Sequence, residues 1–302
     1  MADDTASRVA APFGRVLTAM VTPMHDDGSL DLAGATRLAA SLVDAGCDGI
    51  VVSGTTGESP TTSDSEKEQL IRAVVEAVGE RAHVVAGVGT YDTHHTVELA
   101  RQAEKAGAHG LLVVTPYYSR PTQEGLVQHF TAAADATELP VMLYDIPPRS
   151  VVPIETPTLL RLAEHERIVA VKDAKGDPFA ASEVIARSEL AYYSGDDALN
   201  LPLLALGAVG MVSVVGHVAA AQYRAMVDAI DRGDLGAALR IHQQLIPAVR
   251  GIMTRAPGAV MAKAAAHLDG RIGSRMMRLP LLPATDEQVQ RLVSDLAEAG
   301  LR

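Results

Sequence analysis

Tryptophan is missing from this 302-residue sequence, and aromatic residues reach only 3%. A core of stacked rings is thereby excluded, so Val, Leu, Ile and Ala must fill the interior, as in parallel α/β proteins. Cysteine is nearly missing as well. Cys47 stands alone, which rules out an intramolecular disulfide and suits a reducing compartment. No apolar run reaches about 18 residues, so no segment is expected to span a bilayer. The first residues, Met1 to Ala11, hold two acids and no apolar run, unlike a secretory signal. A cytoplasmic location is expected. Positive charge is in deficit: 26 Lys and Arg face 37 Asp and Glu, a formal net charge of −11. Such a chain repels phosphate backbones and anionic membranes, so neither nucleic acid nor a membrane is an expected partner. The 10 histidines are scattered without metal-ligand spacing, and no phosphate loop of the Walker type occurs. Metal catalysis is not expected.

What the sequence does have is alternation. Short apolar runs near residues 16–21, 49–52, 83–88, 110–115, 140–144, 168–172, 190–194 and 210–214 read as strands. Between the first two, Ala35, Leu38, Ala39, Leu42 and Val43 recur at helical spacing. Ser63-Asp64-Ser65-Glu66 is a capping box that opens the next helix, and Thr122 caps a third. A weak repeat marks three of the joints: Gly46-Cys47-Asp48-Gly49, Gly107-Ala108-His109-Gly110 and Gly207-Ala208-Val209-Gly210. In each, the first glycine ends a helix in the left-handed region and the second starts a strand. Strands joined through helices by connections this short must pair in parallel by right-handed crossovers. Eight such units predict a (β/α)₈ barrel over residues 12–234. An open doubly wound sheet is the alternative, but no GxGxxG follows the first strand. Residues 235–302 show no strand-like run and read as a helical appendage, with Leu279-Pro280-Leu281-Leu282-Pro283 setting off its last helix.

Chemistry concentrates at the strand ends, where such barrels place their active sites. Ile168-Val169-Ala170-Val171 runs straight into Lys172, so the stem of that lysine lies in a dry strand and its amine at the strand's mouth. Burial disfavours the ammonium and leaves part of the amine neutral, able to attack a carbonyl. The plain alternative is a lysine that snorkels to water. The fifth strand ends at Tyr144. On a period of two, Met142 and Tyr144 share a face, as do Ala170 and Lys172, so matching inward faces bring Tyr144 beside Lys172. A phenol there can move protons. After the second strand, Gly54-Thr55-Thr56-Gly57-Glu58 offers amides and hydroxyls as a cradle for a small carboxylate, or is merely a turn. Tyr117-Tyr118 follows the fourth strand, Arg149 follows the fifth, and Gly195 leaves room beside Lys172.

Gly54–Glu58, Tyr117-Tyr118, Tyr144 with Arg149, and Val171-Lys172-Asp173 together resemble the pyruvate-dependent class I aldolase/lyase superfamily. Within it the sequence is most similar to the dihydrodipicolinate synthase family, over about residues 14 to 300. The resemblance implies that Lys172 forms a Schiff base with C2 of pyruvate. It implies that Thr56 and the loop amides hold the pyruvate carboxylate, with the backbone near Val212 lining the same pocket. Tyr144 would be the acid/base, linked through Thr55 to Tyr118 of a neighbouring subunit. Arg149 would hold the carboxylate of L-aspartate-4-semialdehyde. The implied product is 4-hydroxy-tetrahydrodipicolinate, the entry to diaminopimelate and L-lysine synthesis, made without an external cofactor by a homotetramer. N-acetylneuraminate lyase and 2-keto-3-deoxy-sugar-acid aldolases share Lys172, Tyr144 and the loop, whereas Arg149 and Tyr117-Tyr118 favour the synthase. A non-catalytic keto-acid binder would have no need of the proton relay.

Three departures stand out. Lys175 replaces a hydroxyl residue common among relatives, and like-charge repulsion from it is expected to lower the Lys172 pKa. Arg255-Ala256-Pro257-Gly258-Ala259 departs from a Pro-rich pattern, so no function is transferred to it. Pro60, Asp64, Lys67, Tyr91 and His95 stand where lysine-inhibited relatives carry other polar residues. Lys67 would repel a lysine ammonium, so feedback inhibition by L-lysine is expected to be weak or absent.

Overall fold

The computed structural model describes residues 9–302. Its strands are β1 (Val16–Ala19), β2 (Gly49–Val52), β3 (His83–Gly87), β4 (Gly110–Val114), β5 (Val141–Asp145), β6 (Ile168–Asp173), β7 (Ala191–Ser194) and β8 (Gly210–Ser213). All pair in parallel and in chain order, and β1 pairs with β8 as well as β2, which closes the barrel. The open sheet is thereby excluded. The expected strands recur within one or two residues of their predicted ends.

The period of two splits each strand between two cores. Leu17, Val51, Val85, Leu112, Met142 and Val212 face the barrel axis and pack into one cluster with Phe13. Phe13 plugs the amino end so tightly that a Cβ on Gly110 would lie 2.3 Å from its ring. The alternate residues, among them Ile50, Val84, Leu111, Leu143 and Val171, face outward into a second cluster with the helices. Strands buried on both faces cannot show the apolar–polar alternation of a half-exposed sheet, which explains their nearly continuous apolar runs.

Two of the helices begin at the caps that the sequence predicts. The helices are α1 (Leu32–Asp44), α2 (Asp64–Val78), α3 (Thr93–Lys105), α4 (Gln123–Asp135), the single turn α5 (Pro147–Ser150), α6 (Thr156–Leu162), α7 (Pro178–Arg187), α8 (Asn200–Ala205) and α9 (Gly216–Asp231). Ser63 and Glu66 form the reciprocal capping box of α2, and the Thr122 side chain accepts from Gly125 N to cap α4. Gly46, Gly107 and Gly207 take φ of +109°, +88° and +108°, the left-handed stops expected of the repeat. Helix α9 kinks at Ala219, where φ is −131°.

Three further helices follow: α10 (Leu235–Met253), α11 (Gly258–Leu268) and α12 (Asp286–Glu298), with the Pro-rich stretch between the last two. Helix α10 packs on α9, and α12 packs on α10. Leu245, Ile252, Met261 and Leu292 join the same apolar cluster as the outer faces of the strands. No described helix is long and apolar enough to cross a membrane.

Candidate active site

Strands β5 and β6 do not pair evenly. Val141 faces Ile168, but Met142 faces Ala170, so one residue of β6, Val169, is skipped. This bulge puts Tyr144 opposite Lys172; without it Tyr144 would face Val171. The inward faces therefore match as the period of two requires. The amine of Lys172 lies over the Tyr144 ring, 4.2 Å from its centroid.

Both side chains are buried, Lys172 at 4% exposure and Tyr144 at 6%. Burial pulls the Lys172 pKa down to about 8, opposed by the Asp197 carboxylate and assisted by the Arg149 cation. Near neutral pH, a fraction on the order of a tenth of the amines is thus unprotonated, far more than for a solvated lysine. Burial pushes the Tyr144 hydroxyl up, with Arg149 opposing and Asp196 and Asp145 adding to the rise, so the phenol stays protonated and can donate. Gly195 lies against the lysine stem. A Cβ there would sit 2.8 Å from Lys172 Cγ, so the missing side chain leaves the channel the stem occupies.

Asp197 is held rigidly. Its carboxylate accepts from Val214 N at 2.9 Å, Val215 N at 3.0 Å and Asn200 Nδ2 at 3.1 Å, and from the Ser213 hydroxyl. Next to it, His217 Nε2 accepts from Val21 N at 3.1 Å while Nδ1 meets Val214 O at 2.7 Å. That pairing fixes a neutral ring with its proton on Nδ1, and burial holds its pKa down at about 4. These contacts lock the ends of β8 and β1 around the lysine. Nothing in the Ser194-Gly195-Asp196-Asp197 turn separates Asp197 from an ordinary solvated acid. Only the chain reversal that brings two backbone amides to it does so.

The Gly54–Glu58 loop is a compact turn at the end of β2, with Gly57 N on Gly54 O at 3.0 Å and Ser59 N on Gly54 O at 3.2 Å. Thr56 is buried and Thr55 exposed. A cavity of about 50 Å³ opens between this loop and β5, lined in part by Gly54, Thr55, Tyr117 and Tyr144. Val212 lies in the barrel interior with Tyr144. Arg149 is exposed on the turn α5 after β5. The residue at the end of that turn, Val151, has φ of +71°, a costly conformation for a β-branched side chain. A larger cavity of about 550 Å³ lies at the opposite end of the barrel, near Arg15 and Val209. None of the described residues that line it carries a group suited to attack a carbonyl.

Two other residues stand apart from this cluster. Tyr118 is not gathered with the others: it is 90% exposed, with φ of +73°. Tyr117 turns inward in its place and packs edge-on against Tyr91 at 5.4 Å. The expectation for Lys175 is corrected. Its ammonium lies 3.3 Å from Asp145 Oδ2 and donates to Ile154 O at 3.3 Å, so a carboxylate offsets its charge. The cation that lowers the Lys172 pKa is Arg149. Spacing alone put Lys175 near Lys172; it could not reveal that the intervening turn sends its side chain toward Asp145.

Of the five positions set against lysine-inhibited relatives, Asp64, Lys67 and His95 come together. His95 Nε2 meets Asp64 Oδ2 at 2.9 Å, and Lys67, buried at the base of α2, donates to Thr62 O and lies 4.0 Å from Asp64 Oδ1. His95 is thus paired with a carboxylate.

A profile of the dihydrodipicolinate synthetase family matches residues 12–299. A protein of Kineococcus radiotolerans named 4-hydroxy-tetrahydrodipicolinate synthase is 66% identical over 98% of this chain and 96% of its own length. Among solved structures, the dihydrodipicolinate synthase of Bacillus anthracis aligns with a TM-score of 0.91 at 44% identity, over 94% of this chain and 98% of its own. The Cyanidioschyzon merolae enzyme, solved with lysine bound, aligns with a TM-score of 0.93 at 39% identity, covering 96% of this chain and 99% of its own. The lysine at the barrel mouth, the phenol it lies against and the helices behind them all fall inside that match, and the chain belongs to the dihydrodipicolinate synthetase family.

Proposed function

We propose that the chain condenses pyruvate with L-aspartate-4-semialdehyde to give 4-hydroxy-tetrahydrodipicolinate, through a Schiff base on Lys172. The observation that carries this reading is the buried Lys172 amine, its pKa near 8, lying over the Tyr144 ring. The names of the relatives support it over a sugar-acid lyase.

The neutral amine attacks C2 of pyruvate, and the carbinolamine loses water to leave a protonated imine. That imine is an electron sink, so a proton leaves the pyruvate methyl group and an enamine forms. The enamine carbon attacks the aldehyde, whose oxygen takes up a proton and becomes the 4-hydroxyl. The substrate's own amino group then attacks the imine carbon, closes the ring and expels the Lys172 amine. Each step needs a proton moved at the nitrogen or an adjacent oxygen, and Tyr144 is the group placed to move it. Thr56 and the loop amides hold the pyruvate carboxylate, Val212 lines that pocket, and Arg149 pairs with the carboxylate of the second substrate. Lysine supplies the electron sink that a bound cofactor would otherwise provide.

Tyr118 reaches the site of a neighbouring subunit through Thr55, in a homotetramer. Its exposure and left-handed backbone support this, because a large aromatic held outward in a costly conformation is suited to a partner's surface. We place the reaction in the cytoplasm, in keeping with the lone Cys47, whose thiol burial pushes up to about 11. Residues 12–234 are read as the catalytic barrel and 235–302 as a helical region packed on it.

A coupled assay tests the reaction. Turnover with aspartate semialdehyde and pyruvate, and none with N-acetylneuraminate or 2-keto-3-deoxy sugar acids, is the expected result; the reverse preference would overturn it.

A further inference from the structure

Another buried lysine, Lys263, lies behind the substrate loop. Lys263, in α11, and Glu58, the last residue of that loop, form an ion pair whose side chains are 0% and 1% exposed. They are 205 residues apart in the chain. The Lys263 ammonium also donates to Met276 O at 2.8 Å. The other carboxylate oxygen of Glu58 accepts from Arg278 N at 2.9 Å. Arg278 in turn donates to Gly28 O at 2.8 Å and Thr61 O at 2.8 Å, and pairs with the Glu66 carboxylate at 2.5 Å. Both oxygens of Glu58 are therefore held by the C-terminal helical region, and that region is clamped to the segments on either side of the loop.

The loop backbone needs such a hold. Glu58 has φ of +58°, a left-handed conformation that costs a residue with a Cβ roughly 1–2 kcal/mol. Gly57 is fixed one residue earlier by Thr22 Oγ1, which donates to its carbonyl at 2.7 Å. With these two points fixed, Thr55, Thr56 and the loop amides have one orientation toward the barrel mouth. A buried ion pair is not needed for stability, because apolar side chains of similar volume often serve as well. What the pair adds is a single permitted geometry.

We propose that Lys263, acting through Glu58, is a positioning residue for pyruvate: it sets the angle at which the Gly54–Glu58 loop meets the substrate carboxylate. This rests on reading that loop as the carboxylate cradle. The C-terminal helices then contribute to substrate affinity as well as to packing.

The test uses the double variant Glu58→Leu/Lys263→Met, which removes both charges while keeping volume. KM for pyruvate, and the pyruvate concentration giving half-maximal borohydride trapping at Lys172, should each rise about tenfold or more. The kcat at saturating pyruvate should change less than about threefold, with KM for the semialdehyde and the pH inflection unmoved. A fall in thermal stability with pyruvate dependence unchanged would make the pair purely structural and overturn the proposal. Should the double variant not fold, Glu58→Gln is read in the same way. Thr56→Val separates the two readings. If it leaves pyruvate KM unchanged, the cradle fails and the proposal with it. If it raises KM while the double variant does not, the positioning role alone is wrong.

Discussion

Lys172 and Lys263 are both almost fully buried, and they differ in what surrounds the nitrogen. Lys172 ends a barrel strand with its amine over an aromatic face, and burial draws its pKa to about 8. Lys263 sits in a helix with its ammonium on the Glu58 carboxylate and a backbone carbonyl; burial lowers its pKa as well, but the adjacent carboxylate works against that. Burial alone does not make a nucleophile. What decides is whether the space around the nitrogen is filled by a hydrogen-bonded carboxylate or left for a substrate.

The difference breaks most sharply under substitution. Lys172→Ala should lower kcat by at least about 10⁴-fold, whereas Lys263→Met should still turn over at saturating pyruvate. Comparable loss in both, with folding intact by circular dichroism, would erase the distinction. Tyr144→Phe comes next: a loss of about 10²–10⁴-fold in kcat is expected, measured in the coupled assay, with little change in thermal midpoint.

Arg149→Met sharpens the electrostatic side. Removing a cation that disfavours the Lys172 ammonium must raise that pKa, so the rise of rate with pH, centred near 8, should move to higher pH. KM for the semialdehyde should rise roughly 10–100-fold, the worth of one charge-assisted contact. Lys175→Met gives the smallest effect on chemistry. Burial has already raised the Asp145 pKa to about 6, so without its partner that carboxyl takes up a proton instead of remaining as a bare charge. A stability loss of about 1–3 kcal/mol in urea titrations is expected, with the pH–rate inflection unmoved. A shift of that inflection would restore Lys175 as the group that tunes Lys172.

The barrel mouth was largely legible in the sequence because it rests on short-range rules. Eight apolar runs, three Gly-x-x-Gly joints and a capping box place the strands and helices in order. The period of two then puts Tyr144 and Lys172 on inward faces. The bulge at Val169 was not legible, and it is what sets Lys172 rather than Val171 opposite Tyr144. Asp197 and the Glu58–Lys263 pair were illegible for a different reason. Their partners arrive from distant elements, and an aspartate in a turn or a lysine among alanines carries no local mark of what will face it. Lys175 shows the reverse error, where closeness in the chain suggested an interaction that the turn redirects.

The central claim is that the Lys172 nitrogen, partly uncharged at the barrel mouth, bonds covalently to pyruvate. Borohydride reduction in the presence of pyruvate, followed by peptide mass analysis, tests it most directly. The account predicts the mass of a reduced pyruvate imine on the peptide carrying Lys172, with trapping that rises through pH 8, and none on the peptide carrying Lys263. An unmodified Lys172 under conditions of full turnover would contradict it.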